Sequence, residues 1–571
     1  MAVPEWGGSR TSVSIVRGVF AVIGLAAFGL GWAGMYEYRE GKHPLDVLYF
    51  VLQLYVLGSD ALQDGGPFPW PLEVARLLAP LFTLLTVVET GRLLLANEVR
   101  RFRSRTARRH AVVCGDTAFA KALARQLFNT GHRVVQVRTR PFGPLELRHR
   151  RMLGVWGDAR SANVLRAAGL RRARYLYVCG DDDQVNHAIA VAAGTELQLR
   201  RTSPWIYVQV NRQQTCHLLQ ARRLGAAGTN RFRLDYFHVD DVAARRLYQR
   251  HPLRHAGERP LRLLIAGEGS FPGVLLVETA RFWRAAGGAP DGLHVDMIGP
   301  DAGRTVATLA ARFPFLERSC RIRAHNELLD TWLPRVARPA RYDRIYLCHH
   351  DEQRMLDLAL ESPHLWHAVT EAVFVATYHS AALADAFHGG EHNDLLDEVD
   401  GRLQVYPILT RACDARLITD DLTERLAREF HQRYLTANGG GGTASGVEWA
   451  RLSESMRNAN RAQVQGIAAK MRVLGCVIAV RHGEDAIITE DEIERLARLE
   501  HERWCEERAG QGWRHGPRDD RRRRHPDLIG WDALGERSRE KARDAVRSMS
   551  DMLADEGFTI VRLNEPVGIA A

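Results

Sequence analysis

Apolar and polar positions follow three rhythms along this chain. Gly18 to Tyr36 (GVFAVIGLAAFGLGWAGMY) carries no charge, and its length suits a bilayer, so it predicts a first transmembrane helix. It is long for a signal peptide and has no small-residue cleavage site. Leu77 to Leu95 (LLAPLFTLLTVVETGRLLL) predicts a second span. Between them the apolar half of PLDVLYFVLQLYVLGSDALQDGGPFPWP is too short to cross and is broken by Gly58 and Asp60, the pattern of a re-entrant or interfacial segment. The rhythm then changes. Ala111–Cys114 predicts a strand, Gly115 a turn, and the next residues a helix with Ala118, Leu123, Leu127 and Phe128 inward. Further strands are expected at Val134–Val137 and Tyr175–Cys179. A second strand, glycine turn and helix begin at Leu261 (LRLLIAGEGSFPGVLLVETARFW), followed by strand-like runs at His294–Ile298, Arg344–Cys348 and Ala372–Ala376. Helix-length segments between such runs predict a parallel sheet. From Ile418 the chain turns helical and charged, with Asn438–Ser445 (NGGGGTAS) a flexible loop inside it.

Composition narrows the class. At 571 residues with 26% charged and 46% hydrophobic, the chain is globular material in several domains, which excludes a disordered protein or a multi-span transporter. The net charge of +10 sits largely beside the second span (Arg100, Arg101, Arg103, Arg105, Arg108, Arg109) and in one C-terminal loop. Anionic lipid and phosphorylated ligands account for it without nucleic acid. By the positive-inside rule everything after the second span is cytoplasmic, and Arg10 and Arg17 place the N-terminus there too, giving a multi-pass protein of a bacterial inner membrane. Eight scattered cysteines with no CxxC pair read as reduced, buried thiols. The row Asp181, Asp182, Asp183 cannot face one ion with all three carboxylates, so it reads as a solvated loop, and no metal is expected. His501-Glu502 is no zinc-protease motif because Cys505 holds the second histidine position. No nucleophile elbow, P-loop or paired-carboxylate signature occurs, so no catalytic residue is expected.

Helix, short apolar loop, helix resembles the pore module of two-span potassium channels. The resemblance makes Gly58, Ser59 and Asp60 pore candidates, although Leu54 to Asp60 (LYVLGSD) replaces the threonine-valine-glycine-tyrosine-glycine filter. An anchor hairpin is the alternative. Glu89 and Arg92, one helical turn apart near the end of the second span, are either functional or a snorkelling pair. Gly115, Thr117 and Ala120 keep only part of a G-x-G-x-x-G template. With Arg138 and Arg140 ending the second strand, Gly157-Asp158 after the third and Asp181 after the fourth, the order resembles the RCK (regulator of potassium conductance) or Trk-type NAD-binding domain. That resemblance implies a ligand-sensing Rossmann domain that dimerises and forms rings under a pore, with NAD or another nucleotide-derived ligand. Arg138 suits an extra phosphate, or it is a solvated strand end. In the second unit Gly267 and Gly269 stand in place, Pro272 replaces the third glycine and Gly273 follows one residue late. His349, His350 and Asp351 leave a strand end where open α/β sheets hold ligands.

The last motif is the most specific. A helix, GW-x-HGP, a basic loop, HPDLI and further helices resemble the RyR domain of ryanodine receptors through Leu496, His501, Trp504, Gly512, Trp513, Gly516, Pro517, Asp519, Asp520, His525, Pro526, Asp527 and Leu528. Glu448–Gly475 repeats the character of its helices, so a two-part helical unit begins near Ile418. Trp504 and Trp513 offer stacking faces, Arg518 and Arg521–Arg524 phosphate-binding charge, and Asp519 and His525 orienting hydrogen bonds. Core tryptophans and a solvated arginine run are the alternative. The expected fold is α/β with a membrane segment: a two-helix transmembrane module (1–108), tandem Rossmann-like parallel-sheet domains (109–255 and 256–415) and an all-helical RyR-like domain (416–571). The expected function is a ligand-gated, channel-like membrane protein for potassium or another cation, a dimer or tetramer sensing a nucleotide-like ligand, with a defence role open. A membrane-anchored NAD- or nucleotide-processing enzyme with a sensitive His349 or His350, or a non-conducting scaffold, are the alternatives.

Overall fold

The computed structural model describes residues 10–39, 41, 43–56, 65–142, 151–197, 204–225, 233–254, 259–335, 342–349, 351–378, 402–438, 447–483 and 486–563; within its helices the side chains of 10–21, 89 and 92–101 are excluded. The pore candidates Gly58, Ser59 and Asp60, and also His350, Arg140's successors from 143 to 150 and most of the glycine loop, lie outside the described residues, as do the side chains of Glu89 and Arg92. The chain divides into two units, Met1–Phe102 and Arg103–Ala571.

The first unit holds three helices: α1 (Arg10–Tyr38), α2 (Pro44–Leu54) and the part of α3 (Trp70–Thr106) up to Phe102. Proline is tolerated in the first turn of α2, and His43 caps that helix by accepting from Leu45 N. Small residues let the helices approach. A Cβ on Gly34 would lie 2.4 Å from Leu72 N, and Ala27, Ala75 and Ala79 are buried with Met35, Val47, Val51 and Leu72. The outside is apolar, with Leu25, Leu45, Leu77 and Val87 each more than 60% exposed. Among the described residues one helix, Trp70–Val88, is long and apolar enough to cross a membrane. The other expected span, Gly18–Tyr36, falls within α1.

The second unit contains two six-stranded sheets. The first comprises β1 (Ala111–Cys114), β2 (Val134–Arg138), β3 (Met152–Trp156), β4 (Tyr175–Val178), β5 (Trp205–Gln209) and β6 (Arg233–Phe237), in the order β3-β2-β1-β4-β5-β6. Every pair is parallel, and β1–β4 have buried runs on both faces, as covered parallel strands must. The second sheet comprises β7 (Leu261–Gly267), β8 (Leu293–Ile298), β9 (Arg321–His325), β10 (Tyr342–Cys348), β11 (Val369–Thr377) and β12 (Leu403–Pro407), in the order β12-β11-β10-β7-β8-β9. Read from its first strand outward, that is the same doubly wound order, again all parallel. The two sheets share a core through α5 (Val239–Arg250), which packs on α6 (Phe271–Ala285).

One inward position is corrected. Thr117 caps α4 (Ala118–Asn129), which puts Ala118 at its first position on the outer face; Phe119, Ala120, Leu123, Ala124 and Leu127 form the buried stripe instead. The C-terminal region is helical but not all-helical. Helices α7 (Leu422–Asn438), α8 (Glu454–Gln465), α9 (Ile467–Leu474), α10 (Glu490–Gly510) and α11 (Glu536–Asp555) surround one core, and β13 (Cys476–Val480) pairs antiparallel with β16 (Phe558–Arg562). Two short segments, β14 (Arg514–His515) and β15 (Arg524–His525), close the basic loop.

Candidate functional sites

At the carboxyl edge of the first sheet Gly115, Thr117 and Ala120 meet in one turn, whereas Arg138, Asp158 and Asp181 are each held by their own neighbours. Gly115 has φ 142°, and a Cβ there would lie 2.3 Å from Cys179 O, so the β1–α4 turn touches the β4 end. Thr117 Oγ1 donates to Cys179 O at 2.9 Å and accepts from Ala120 N at 3.0 Å. Arg138 donates to Gln136 Oε1 at 2.8 Å and lies 4.5 Å over the Phe142 ring. Asp158 is held by Arg160 in a fork, at 2.9 Å to Nε and 2.7 Å to Nη2. That pairing keeps its carboxyl below the usual range. Asp181 is exposed, and its carbonyl accepts from Asn211 Nδ2 at 2.8 Å. Asp182 caps the next helix by accepting from Gln184 N at 2.7 Å, and Asp183 accepts from Asn211 Nδ2 at 2.9 Å. No cluster of metal-ligating groups occurs among the described residues.

The second sheet repeats the glycine turn more tightly. Gly267 has φ 143°, and a Cβ would fall 1.7 Å from Cys348 O. Gly269 also has positive φ but faces open space. Beside this turn lies a cavity of about 390 Å³, lined by Glu268, His349, Asp330, Arg354, Asp357 and Glu361 among others. His349 Nε2 is 3.6 Å from Glu268 Oε1. Carboxylates dominate this wall, which suits phosphate poorly.

A groove of about 1290 Å³ lies in the C-terminal region. It is lined by α7, α8, α10, α11 and the basic loop, and among the predicted residues by Trp504, Trp513, Arg518 and His525. Trp504 and Trp513 are half-buried, whereas the tryptophan that fills the core is Trp531, 4% exposed. His525 stands edge-on to Trp504, with ring centroids 5.0 Å apart, and 6.5 Å from Trp513. Its Nδ1 accepts from Asp527 N at 3.1 Å. Burial and then Arg518 and Arg508 push its pKa down against the pull of Asp527. The ring is therefore neutral and carries its proton on Nε2. Asp519 is not on the wall. It pairs with Arg524 across the turn through its backbone and accepts from Arg522 N at 2.9 Å, and Asp520 takes the lining position, 3.5 Å from Arg518.

Sequence reasoning missed Arg508. Its guanidinium lies 5.1 Å from the Trp513 ring and 6.0 Å from the Trp504 ring, within reach of a cation–π contact. The signal was the i, i+4 spacing from Trp504 along α10. Deeper in the wall, buried Glu500 accepts from Lys470 Nζ at 2.7 Å and from Arg503 at 2.7 Å. Burial alone would raise its pKa, but these two cations bring it below the ordinary value. The groove thus offers two indole faces, a neutral imidazole donor and the guanidinium groups of Arg508, Arg518 and Arg523. That set can stack a flat ring and hold an anion beside it.

A TrkA-N domain model matches residues 111–229, and a RyR domain model matches residues 488–562. Among solved structures, the GsuK channel is similar over 72% of this chain and 99% of its own, at 15% identity and a TM-score of 0.34. The GsuK channel bound to NAD is similar over 73% and 85%, at 13% identity and a TM-score of 0.33. The NAD(P)-binding domain of an exopolyphosphatase-related protein from Archaeoglobus fulgidus covers 19% of this chain and 79% of its own, at 21% identity and a TM-score of 0.17. No curated protein matches. The chain carries a TrkA-N domain in its first sheet and a RyR domain at its C-terminal end.

Proposed function

We propose that this chain is a ligand-gated membrane protein in which the α/β and helical domains sense a nucleotide-derived ligand and act on a homo-oligomeric, channel-like module for potassium or another cation. The observation that carries the reading is the RyR-domain groove, where stacking faces and arginines converge. The TrkA-N match and the apolar helix Trp70–Val88 support the transport setting. Transmission has a physical route within the second unit. Helices α7 and α11 both line the groove, and both are tied to α6 of the second sheet: Glu556, just after α11, accepts from Arg281 at 2.7 Å and from Arg425 of α7 at 2.9 Å, and Asp555 accepts from Arg284 at 3.1 Å. At the other end of the unit, Arg105 O accepts from Arg172 at 3.1 Å, and Arg109 N donates to Arg172 O at 2.9 Å. The last turn of α3 is thereby bound to the TrkA-N domain. A ligand that favours one spacing of α7 and α11 would bias this assembly by its differential affinity for the two states.

The test is calorimetry of the full chain in detergent against adenine nucleotides and dinucleotides, followed by potassium flux in vesicles. Binding without consumption, weakened at least tenfold in Trp513→Ala and Arg508→Ala, and flux that changes with ligand are expected. Consumption of the ligand would favour the membrane-anchored enzyme, and vesicle leak equal with and without ligand would favour the non-conducting scaffold. A defence role would follow only if the ligand were a signal nucleotide.

A further inference from the structure

The C-terminal region is built twice. Ile418–Tyr434 (ITDDLTERLAREFHQRY) and Ile488–Trp504 (ITEDEIERLARLEHERW) agree at a spacing of 70 residues, with Ile, Thr, Asp, Glu, Arg, Leu, Ala, Arg, His and Arg identical in order. Trp449, Leu452, Glu454, Arg457, Arg461 and Gly475 then recur as Trp531, Leu534, Glu536, Arg539, Arg543 and Gly557, at a spacing of 82.

The contacts repeat as well. His431 Nε2 donates to Val447 O at 2.7 Å, and His501 Nε2 to Ile529 O at 2.8 Å. Arg457 Nε donates to Trp449 O at 3.2 Å, and Arg539 Nε to Trp531 O at 3.3 Å. Arg461 Nε reaches Glu424 at 2.6 Å, and Arg543 Nε reaches Glu494 at 2.7 Å. The strands that follow, β13 and β16, pair antiparallel with each other, and the equivalent residues Ile478 and Ile560 stand opposite one another. Such a pairing is what a two-fold axis through that point requires.

We infer that residues 418–480 are a second, diverged copy of the RyR domain, and that the groove between the copies takes a ligand with two flat rings joined by phosphates, a dinucleotide. The inference rests on the nucleotide reading above and extends it to both halves of the groove. Equivalent positions face it from either side: His431 and His501, Tyr434 and Trp504, Leu452 and Leu534. Each half has an aromatic next to its histidine, at 6.3 Å for His431–Tyr434 and 5.8 Å for His501–Trp504, in stacked orientation. A volume of about 1290 Å³ exceeds the roughly 300–1,000 Å³ usual for a single small ligand. The halves differ in charge. The extra 12 residues of the second copy's loop belong to the segment with Trp513, Arg518 and Arg523, and that copy lines its side with four arginines and a lysine among four carboxylates, whereas the first copy offers one cation, Arg433, beside Thr436, Asn460 and Gln463. Phosphates would sit toward the C-terminal copy, and the second ring would lie on Tyr434 with amide partners.

Calorimetry on the full chain in detergent separates the two halves, using NAD and cyclic di-AMP as two-base probes and AMP and ADP as one-base probes. A two-base probe should bind at least tenfold more tightly than AMP. Tyr434→Ala should remove that advantage while leaving AMP unchanged, Tyr434→Phe should retain it, and Trp513→Ala should weaken every probe. Equal affinity for one-base and two-base probes, or a two-base affinity within twofold of wild type in both Tyr434→Ala and Gln463→Ala, overturns the two-ended site and leaves the nucleotide reading intact. Absence of binding by every probe, or binding indifferent to Trp513→Ala, overturns both.

Discussion

Replacing Glu556 by glutamine tests how firmly the helical region is fastened to the α/β body. Its side chain is 12% exposed and sits between Arg281, at 2.7 Å, and Arg425, at 2.9 Å, each 21% exposed. Burial would raise the carboxyl pKa, yet the two guanidinium groups hold it far below the usual range. Glutamine keeps the shape but removes the charge, leaving two poorly solvated cations, with Glu278, 3.7 Å from Arg281, as a remaining close carboxylate. Removing one partner of a buried pair costs about 3–5 kcal/mol. Arg281 also donates to Asp555 O at 2.8 Å, and that bond survives, so the lower end of the range is expected. For a cooperative block of roughly 470 residues, unfolding entropy is about 1 kcal/mol per kelvin, so the midpoint should fall by about 3 °C. Separate unfolding of the helical region would give a larger drop confined to one transition. Differential scanning calorimetry of the full chain in detergent reads either pattern. A midpoint within 1 °C of wild type, with the transitions unchanged, would refute the claim that this carboxylate fastens the domains.

Gly557→Ala acts at the same junction by sterics: φ is +79° and the new Cβ would lie 2.6 Å from the Phe313 ring and 2.8 Å from Arg312 Nε, so thermal unfolding should show a loss of about 1–3 kcal/mol. Asp421→Asn tests a buried carboxylate pair. Asp421 Oδ1 accepts from Glu424 N at 2.9 Å and Asp235 Oδ2 from Leu422 N at 3.1 Å, and burial, then Asp235, push the Asp421 pKa up to about 8. The folded pKa exceeds the unfolded one, so the stabilisation is complete below about pH 4 and fades as pH rises toward 8. Asparagine still caps the helix, so thermal midpoints measured from pH 5 to 9 should fall less steeply in the variant; parallel profiles would count against a raised Asp421 pKa. Gly115→Ala should destabilise the TrkA-N domain through the 2.3 Å contact with Cys179 O, and soluble, wild-type unfolding of that variant would contradict the turn geometry.

The central strands were legible because their apolar runs are continuous: Ala111–Cys114 and Arg344–Cys348 are buried almost throughout. Edge strands were not. Arg321–His325 (RIRAH) exposes most of its residues, and Leu403–Pro407 ends in a proline, both common ways of closing a sheet edge. The glycine turns were readable from spacing, but their role was not. Gly115 and Gly267 are needed because a neighbouring strand's carbonyl approaches them, a contact that sequence alone cannot reveal. Trp513 and His525 announced the groove, whereas Asp519 misled because a carboxylate beside a basic run reads as a ligand contact when it is in fact a turn brace.

The repeat was half legible for a physical reason. The spacing jumps from 70 to 82 within one copy, so no fixed period runs through it, and only the helical character of Glu448–Gly475 betrayed it. What agrees between the copies is what holds each one together: the histidine on a carbonyl, the arginine on the chain before its helix, and the buried arginine on glutamate. What differs lies on the groove, where Phe430 faces as Glu500 does, Ala459 as Lys541, and Gln463 as Ala545. A scaffold retained while its facing surface changes gives two sides of one opening the same shape and different charge. That combination selects a ligand whose two ends are alike in form and unlike in their polar surroundings, and a symmetric small anion would leave one side of the groove unused.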